Sequence, residues 1–269
     1  MEGICELEEI DGEEWVIFKY CFNNVLSPEI IEFLSEYQKV KFRTDFNQPV
    51  TYQTDSSQNG KYPTLLPNSL THLKFGYDFN QPVDNLPNSL THLEFGWEFN
   101  QPVNNLPNSL THLEFEWEFN QPVNNLPNSL THLKFGWYFD QPVDNLPSSL
   151  THLKFSEICN FDQPVDNLPQ SLTYLEFGED FNQPLNNLPK SITQVSIAYR
   201  FLVIASVIPN SITHLKIIGN SNTDSFSSYD RYVLRDLPYT IEEISIPKKI
   251  YEELMKYAIP NNSIKINLY

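Results

Sequence analysis

The tetrapeptide Phe-Asn-Gln-Pro, or its variant Phe-Asp-Gln-Pro, begins at positions 46, 79, 99, 119, 139, 161 and 181, with most copies spaced twenty residues apart. Each copy is followed by Leu-Pro-x-Ser-Leu/Ile-Thr, as in Leu86-Pro87-Asn88-Ser89-Leu90-Thr91. A period near twenty constrains the fold more than any other feature of the chain. A unit that short cannot bury its own apolar face, so neighbouring units must stack and share one continuous core. The function of such an array is expected on its surface.

Within each unit, a hexad such as Leu70-Thr71-His72-Leu73-Lys74-Phe75 places apolar residues at its first, fourth and sixth positions. This is the pattern of a leucine-rich-repeat strand, which predicts a solenoid with a parallel sheet on its concave face. The hexad recurs at 90–95, 110–115, 130–135, 150–155, 172–177, 192–197 and 212–217, with degenerate copies at 37–42 and 241–246. The return path, Phe79 to Ser89, holds two prolines and several turn formers. Proline removes a backbone donor and clashes inside a helix, so the convex coils should be non-helical, with Phe79, Val83 and Leu86 turned inward.

The ends depart from the repeat and read as caps. Residues 1–36 are expected to supply a strand, Glu14 to Phe22, and a short helix from Pro28 to Leu34 capped by Ser27. Residues 37–246 carry the repeats, and 247–269 read as a helix followed by an edge strand at 264–268. Polar insertions at 51–63 and 220–230, and two extra residues near Glu157-Ile158, are expected as surface loops.

A formal charge of −17 repels phosphate backbones and anionic headgroups, which argues against nucleic acid and membrane surfaces and for a protein or basic peptide as partner. The acidic start lacks the regions of a signal peptide, and no stretch is long enough to span a bilayer. Cys5, Cys21 and Cys159 have neither metal-ligand nor disulfide-framework spacing. They read as reduced thiols of a cytoplasmic protein.

Repetition converts each motif position into a column across the sheet. The third strand position gives His72, His92, His112, His132 and His152, then Tyr174, Gln194 and His214. A metal held between neighbouring imidazoles would need carboxylates in register behind them, so the column reads as a solvated ladder and no metal site is assigned. The fifth position varies in charge: Lys74, Glu94, Glu114, Lys134, Lys154, Glu176, Ser196, Lys216. Opposite charges on adjacent strands should pair as Lys74–Glu94, Glu114–Lys134 and Lys154–Glu176. Just past the strand, Tyr77, Trp97, Trp117 and Trp137 form an aromatic column among Glu94, Glu114, Glu116 and Glu118. Aromatics ringed by carboxylates attract Arg and Lys through charge and cation–π contacts. With His92, His112 and His132, these residues are the expected partner-binding surface on the concave face.

No phosphate loop, nucleophile elbow or metal-ligand cluster is present, and histidines that recur with the repeat are unlike a unique catalytic residue. The chain reads as a non-enzymatic interaction scaffold without a cofactor. A self-assembling structural protein, a homo-oligomer, is the competing class.

The Phe-Asn-x-Pro core and the Leu-Pro-x-Ser-Leu/Ile-Thr tail resemble the FNIP repeat family, a leucine-rich-repeat subclass of social amoebae and of giant viruses that infect amoebae. The resemblance covers roughly 37–217. It implies placement in the cytoplasm, the host's in the viral case. In that family the repeats often follow an F-box, and this implies substrate recognition for a ubiquitin ligase through a Skp1-type subunit. Here only Leu26-Ser27-Pro28-Glu29-Ile30-Ile31 resembles the start of an F-box.

Overall fold

In a computed structural model the described residues are 3–51, 64–199, 208–219, 237–255 and 264–269. They fall into two compact units, Met1–Gln141 and Pro142–Tyr269. The insertion at 220–230 lies outside the described residues, as does the one at 51–63 except for Thr51, which bridges to Thr64.

The first unit opens with a hairpin of β1 (Cys5–Ile10) and β2 (Glu13–Phe18). Asp11 and Gly12 join them at φ of 54° and 77°, the two left-handed residues that a type I′ turn requires. α1 (Pro28–Leu34) follows, where the Ser27 hydroxyl accepts a hydrogen bond from the Ile30 N–H and Ile30 and Leu34 are buried. Then come β3 (Lys39–Lys41), β4 (His72–Lys74), β5 (His92–Phe95), β6 (His112–Phe115) and β7 (His132–Phe135). From β2 onward every neighbour is parallel and in chain order. The repeat pattern therefore begins earlier than the recognisable hexads. Phe18 stacks on Phe42, and Phe22-Asn23 occupies the place of a Phe-Asn pair.

Two files of phenylalanine form the core. The strand file runs Phe75, Phe95, Phe115, Phe135 with ring centroids 5.5–5.8 Å apart. The coil file runs Phe79, Phe99, Phe119, Phe139 at 6.1 Å. Within each coil the two rings approach to 3.6–3.7 Å. All eight are at most 1 % exposed, with Val83 and Leu86 of the non-helical return path buried beside them. Full burial of one such ring is worth roughly 1.5–3 kcal/mol, so stacking the units supplies what a single unit lacks.

The motif asparagine has a specific task. Asn80 Oδ1 accepts from the Asn100 N–H and from Gln101 Nε2, both at 3.0 Å, and the same pair of bonds recurs one unit later at Asn100. Asp162 Oδ1 takes the equivalent bonds from Asn182 and Gln183 at 2.8 and 3.1 Å. Only the oxygen is used, so aspartate substitutes freely. The Asp140 and Asp162 variants need no difference in burial to explain them.

The second unit contains β8 (His152–Phe155), β9 (Tyr174–Glu176), β10 (Gln194–Ala198), β11 (His214–Ile218), β12 (Glu243–Ile246), α2 (Lys248–Met255) and β13 (Lys265–Leu268). Its strands are also parallel and sequential. The added residues near Glu157 make a turn closed by Cys159 N–H to Ser156 carbonyl at 2.9 Å, which leaves Ile158 exposed. Each unit is thus built on a parallel-strand solenoid, and among the described residues the α-helices are α1 and α2 alone. Among the described residues no helix is long and apolar enough to cross a membrane.

Candidate functional site

On the sheet face of the first unit the leucine and phenylalanine of each strand turn inward, which leaves the histidine row and the charged row outward. His72, His92, His112 and His132 stack with centroids 4.1–4.2 Å apart. The threonine before each one holds the ring. Thr91 Oγ1 lies 2.9 Å from His92 Nδ1 and 3.1 Å from the Thr71 carbonyl, which already accepts from the Thr91 and His92 N–H groups at 2.8 and 3.0 Å. The same pair of contacts recurs at Thr111-His112 and Thr131-His132.

Burial, then the neighbouring His72 and Lys39, holds His92 down at about 4. His72 is lowered by burial first and by Lys39 second. Stacked rings project their lone pairs in parallel, so these cannot converge on one ion. Among the described residues no group of three His, Cys, Asp or Glu is placed to hold a metal.

Two residues along, the charged row pairs across strands. Lys74 bonds Glu94, and Lys134 bonds Glu114 at 2.9 Å. Glu94 and Glu114 are direct neighbours, so two carboxylates lie between two lysines. Burial on its own would lower Lys134, but the hydrogen bond and charge of Glu114, with Glu94 and Glu116 behind it, leave it raised. Partly exposed pairs of this kind contribute only about 0–1 kcal/mol, so the row's value lies in its pattern of charge.

The aromatic column sits on the turn after each strand. Tyr77 to Trp97, Trp97 to Trp117 and Trp117 to Trp137 have centroid separations of 5.0, 3.9 and 4.1 Å. Its spacing is set by the backbone: the N–H groups of Glu98, Glu118 and Tyr138 donate to the carbonyls of Tyr77, Trp97 and Trp117, each at 2.9 Å. Tyr77 is 41 % exposed and the tryptophans are half-buried, unlike the phenylalanine files behind them. Glu116 stands exposed in a row that runs Arg43, Gly76, Gly96, Glu116, Gly136. A Cβ at Gly96 would lie 2.1 Å from the Gly76 carbonyl oxygen, so the glycines permit the close approach of successive turns.

The expected surface therefore resolves into three rows of one sheet. His92, His112 and His132 line the entry of the strands, Glu94 and Glu114 follow two residues on along the same face, and Tyr77, Trp97, Trp117 and Trp137 sit with Glu116 and Glu118 on the turns past the strand ends. A groove of about 280 Å³ beside Tyr77 was not expected. Lys41, Arg43, Lys74, Tyr20 and Glu116 line it, and its floor includes Gly76 and Gly96. Arg43 lies 4.6 Å from the Tyr20 ring centroid and is held by Glu6 and Glu8 at 3.2 and 2.7 Å. The readable signal was the recurrent Phe-Gly-aromatic triplet, which puts missing side chains next to large ones.

A family model of the FNIP repeat matches residues 63–96, 79–116, 99–125, 119–157 and 161–199. Among solved structures, CroV588 from a giant virus, described as a novel circular LRR protein, aligns with a TM-score of 0.69 at 37 % identity. The alignment covers 94 % of this chain and 36 % of that one, so the chain spans little more than a third of its relative's length. No curated protein matches the chain.

Proposed function

The chain belongs to the FNIP repeat family, a leucine-rich-repeat group, and from that premise we propose that it is a non-enzymatic scaffold whose first unit binds a basic protein or peptide. The observation that carries this reading is the half-exposed stack of Tyr77, Trp97, Trp117 and Trp137 beside Glu94, Glu114, Glu116 and Glu118. Half-buried tryptophans held at fixed spacing lose little entropy on contact, and carboxylates beside them favour guanidinium and ammonium groups over other side chains. The histidine row adds stacked imidazoles two residues before Glu94 and Glu114. A repeat solenoid is typically an interaction platform, and the charge of −17 favours a basic partner. In this reading the protein works in the cytoplasm, the host's if its source is viral.

In the competing reading, a ligase adaptor that binds a Skp1-type subunit, residues 3–36 would not themselves supply the three helices of an F-box. That segment is spent on β1, β2 and a single seven-residue helix, and Val16, Ile17 and Phe18 are fully buried.

The test is calorimetric titration of an Arg-rich peptide into the wild-type chain and into Trp97→Ala with Trp117→Ala. A hot spot of about 2 kcal/mol predicts roughly thirtyfold weaker binding by the double variant, at unchanged circular dichroism. Equal affinity in the two proteins would contradict the assignment. Concentration-dependent sedimentation with no peptide binding would favour the self-assembling class instead.

A further inference from the structure

The second unit carries a different feature on its sheet face. Between β9 and β12 the outward rows lose their regularity: Gln194 and Ser196 stand on β10 where the central repeats carry histidine and a lysine or glutamate, and Ser245 stands on β12. The small side chains leave a cavity of about 200 Å³ over Val195 and Leu215. Ser196, at 1 % exposure, lies in its floor, and its buried hydroxyl makes no hydrogen bond.

The neighbouring carboxylate is the opposite case. Glu176 faces Ser196 from β9; Tyr174 Oη at 2.6 Å and Lys216 Nζ at 3.4 Å donate to it, and Lys154 Nζ forms an ion pair with it at 3.8 Å. Lys216 reaches it from β11, across β10 and therefore over Ser196. A carboxylate with a second donor and a second lysine in ionic reach, beside a hydroxyl with no hydrogen bond, leaves Lys216 able to change partners without stranding Glu176.

The other row of the cavity offers acceptors. His214 lines this row, its Nδ1 2.8 Å from Thr213 Oγ1. Glu243 lies opposite His214 on β12; Lys265 and Asn267 bond its carboxylate, which retains acceptor capacity for a further donor. Donors on one side and acceptors on the other make a dipolar cavity. Its volume is below the ~300–1,000 Å³ of sites for larger ligands.

We propose that this cavity binds a small zwitterion of the α-amino acid class, its carboxylate on Lys216 Nζ and Ser196 Oγ and its ammonium on the Glu243 carboxylate beside His214. Binding draws Lys216 away from Glu176, which keeps Tyr174 and Lys154, and uncovers the Ser196 hydroxyl. This site is independent of the aromatic column in the first unit.

The experiment is calorimetric titration of the full chain with glycine, alanine and serine, and separately with acetate and methylammonium at matched ionic strength. The expected result is saturable one-site binding of at least one amino acid, with acetate and methylammonium each about tenfold weaker or more. Lys216→Met and Glu243→Gln should each cost about tenfold at unchanged circular dichroism. Ser196→Ala separates a ligand contact from a packing defect. It should raise the melting temperature of the ligand-free chain by removing a buried unpaired hydroxyl, and it should also weaken amino acid binding. The proposal is overturned by no saturable heat at tens of millimolar with all three amino acids, by acetate binding as well as they do, or by Ser196→Ala stabilising the chain with affinity unchanged.

Discussion

The central coils of the first unit and the last coils of the second solve the same packing problem with different regularity. From His92 to Phe135 each strand repeats its outward histidine, its leucine and its phenylalanine, and each outward histidine has a histidine beside it. From Tyr174 to Ile246 the outward row reads Tyr174, Gln194, His214, Glu243, and the inward file changes from Phe177 to Ile197, Ile217 and Ile246. Burial is the same in both stretches. What differs is satisfaction. Ser109 and Ser129 each donate to the leucine carbonyl one unit back at 2.6 Å, whereas the hydroxyls of Ser191, Ser211 and Thr240, at the equivalent place, are buried with no hydrogen-bond partner. Regular ladders satisfy polar groups automatically; divergence gives up some of that satisfaction and creates shaped space, such as the cavity beside Ser196.

The largest expected effect on this contrast comes from the inward files. Phe115→Ala should cost about 3–5 kcal/mol in denaturant unfolding and Ile217→Ala about 2–5, because a ring stacked on both sides leaves the larger void. A greater loss at Ile217 would break the idea that the aromatic files are the stronger half. Next is a change of sign. Ser109→Ala should destabilise by about 1 kcal/mol, while Ser191→Ala should be neutral or stabilising by a similar amount. Two equal losses would mean that the Ser191 hydroxyl has a partner after all.

Acid titration sharpens the comparison further. His92, near 4 when folded against an ordinary ~6.5, takes its proton more readily in the unfolded chain. Between those values the unfolded state holds more protons, so this residue's stabilising contribution is full above about pH 6.5 and falls as pH drops through the window. Thermal melts from pH 7 to 5 should show a steeper decline for wild type than for His92→Gln. Parallel curves would remove the ladder from the account. The smallest effect is expected at Asn100→Asp, within about 0.5 kcal/mol, because only the side-chain oxygen is used there, as at Asp162.

Much of this was legible because repetition multiplies each signal. The hexads located the parallel strands, Ser27-Pro28 marked the start of α1, and alternating charges in register foretold the pairs at Lys74–Glu94, Glu114–Lys134 and Lys154–Glu176, the last at 3.8 Å. β1 escaped because its strand has no buried face to read: Leu7 is 49 % exposed and glutamates flank it. Asp11-Gly12 was the one local clue to that hairpin. The candidate surfaces were only half legible. The columns could be written down from the sequence, but the separation of histidine and tryptophan rows depends on where each strand ends. The second-unit cavity arises from an absence of bulk at Ser196 and Ser245, which a search for conspicuous residues passes over.

The most direct test of the interaction surface is hydrogen–deuterium exchange of the intact chain with and without a bound Arg-rich peptide. The account predicts slowed exchange at 94–98 and 114–118, with 191–198 and 214–218 unchanged. Protection confined to the second unit, or to the coil segments 100–109 and 120–129, would contradict it.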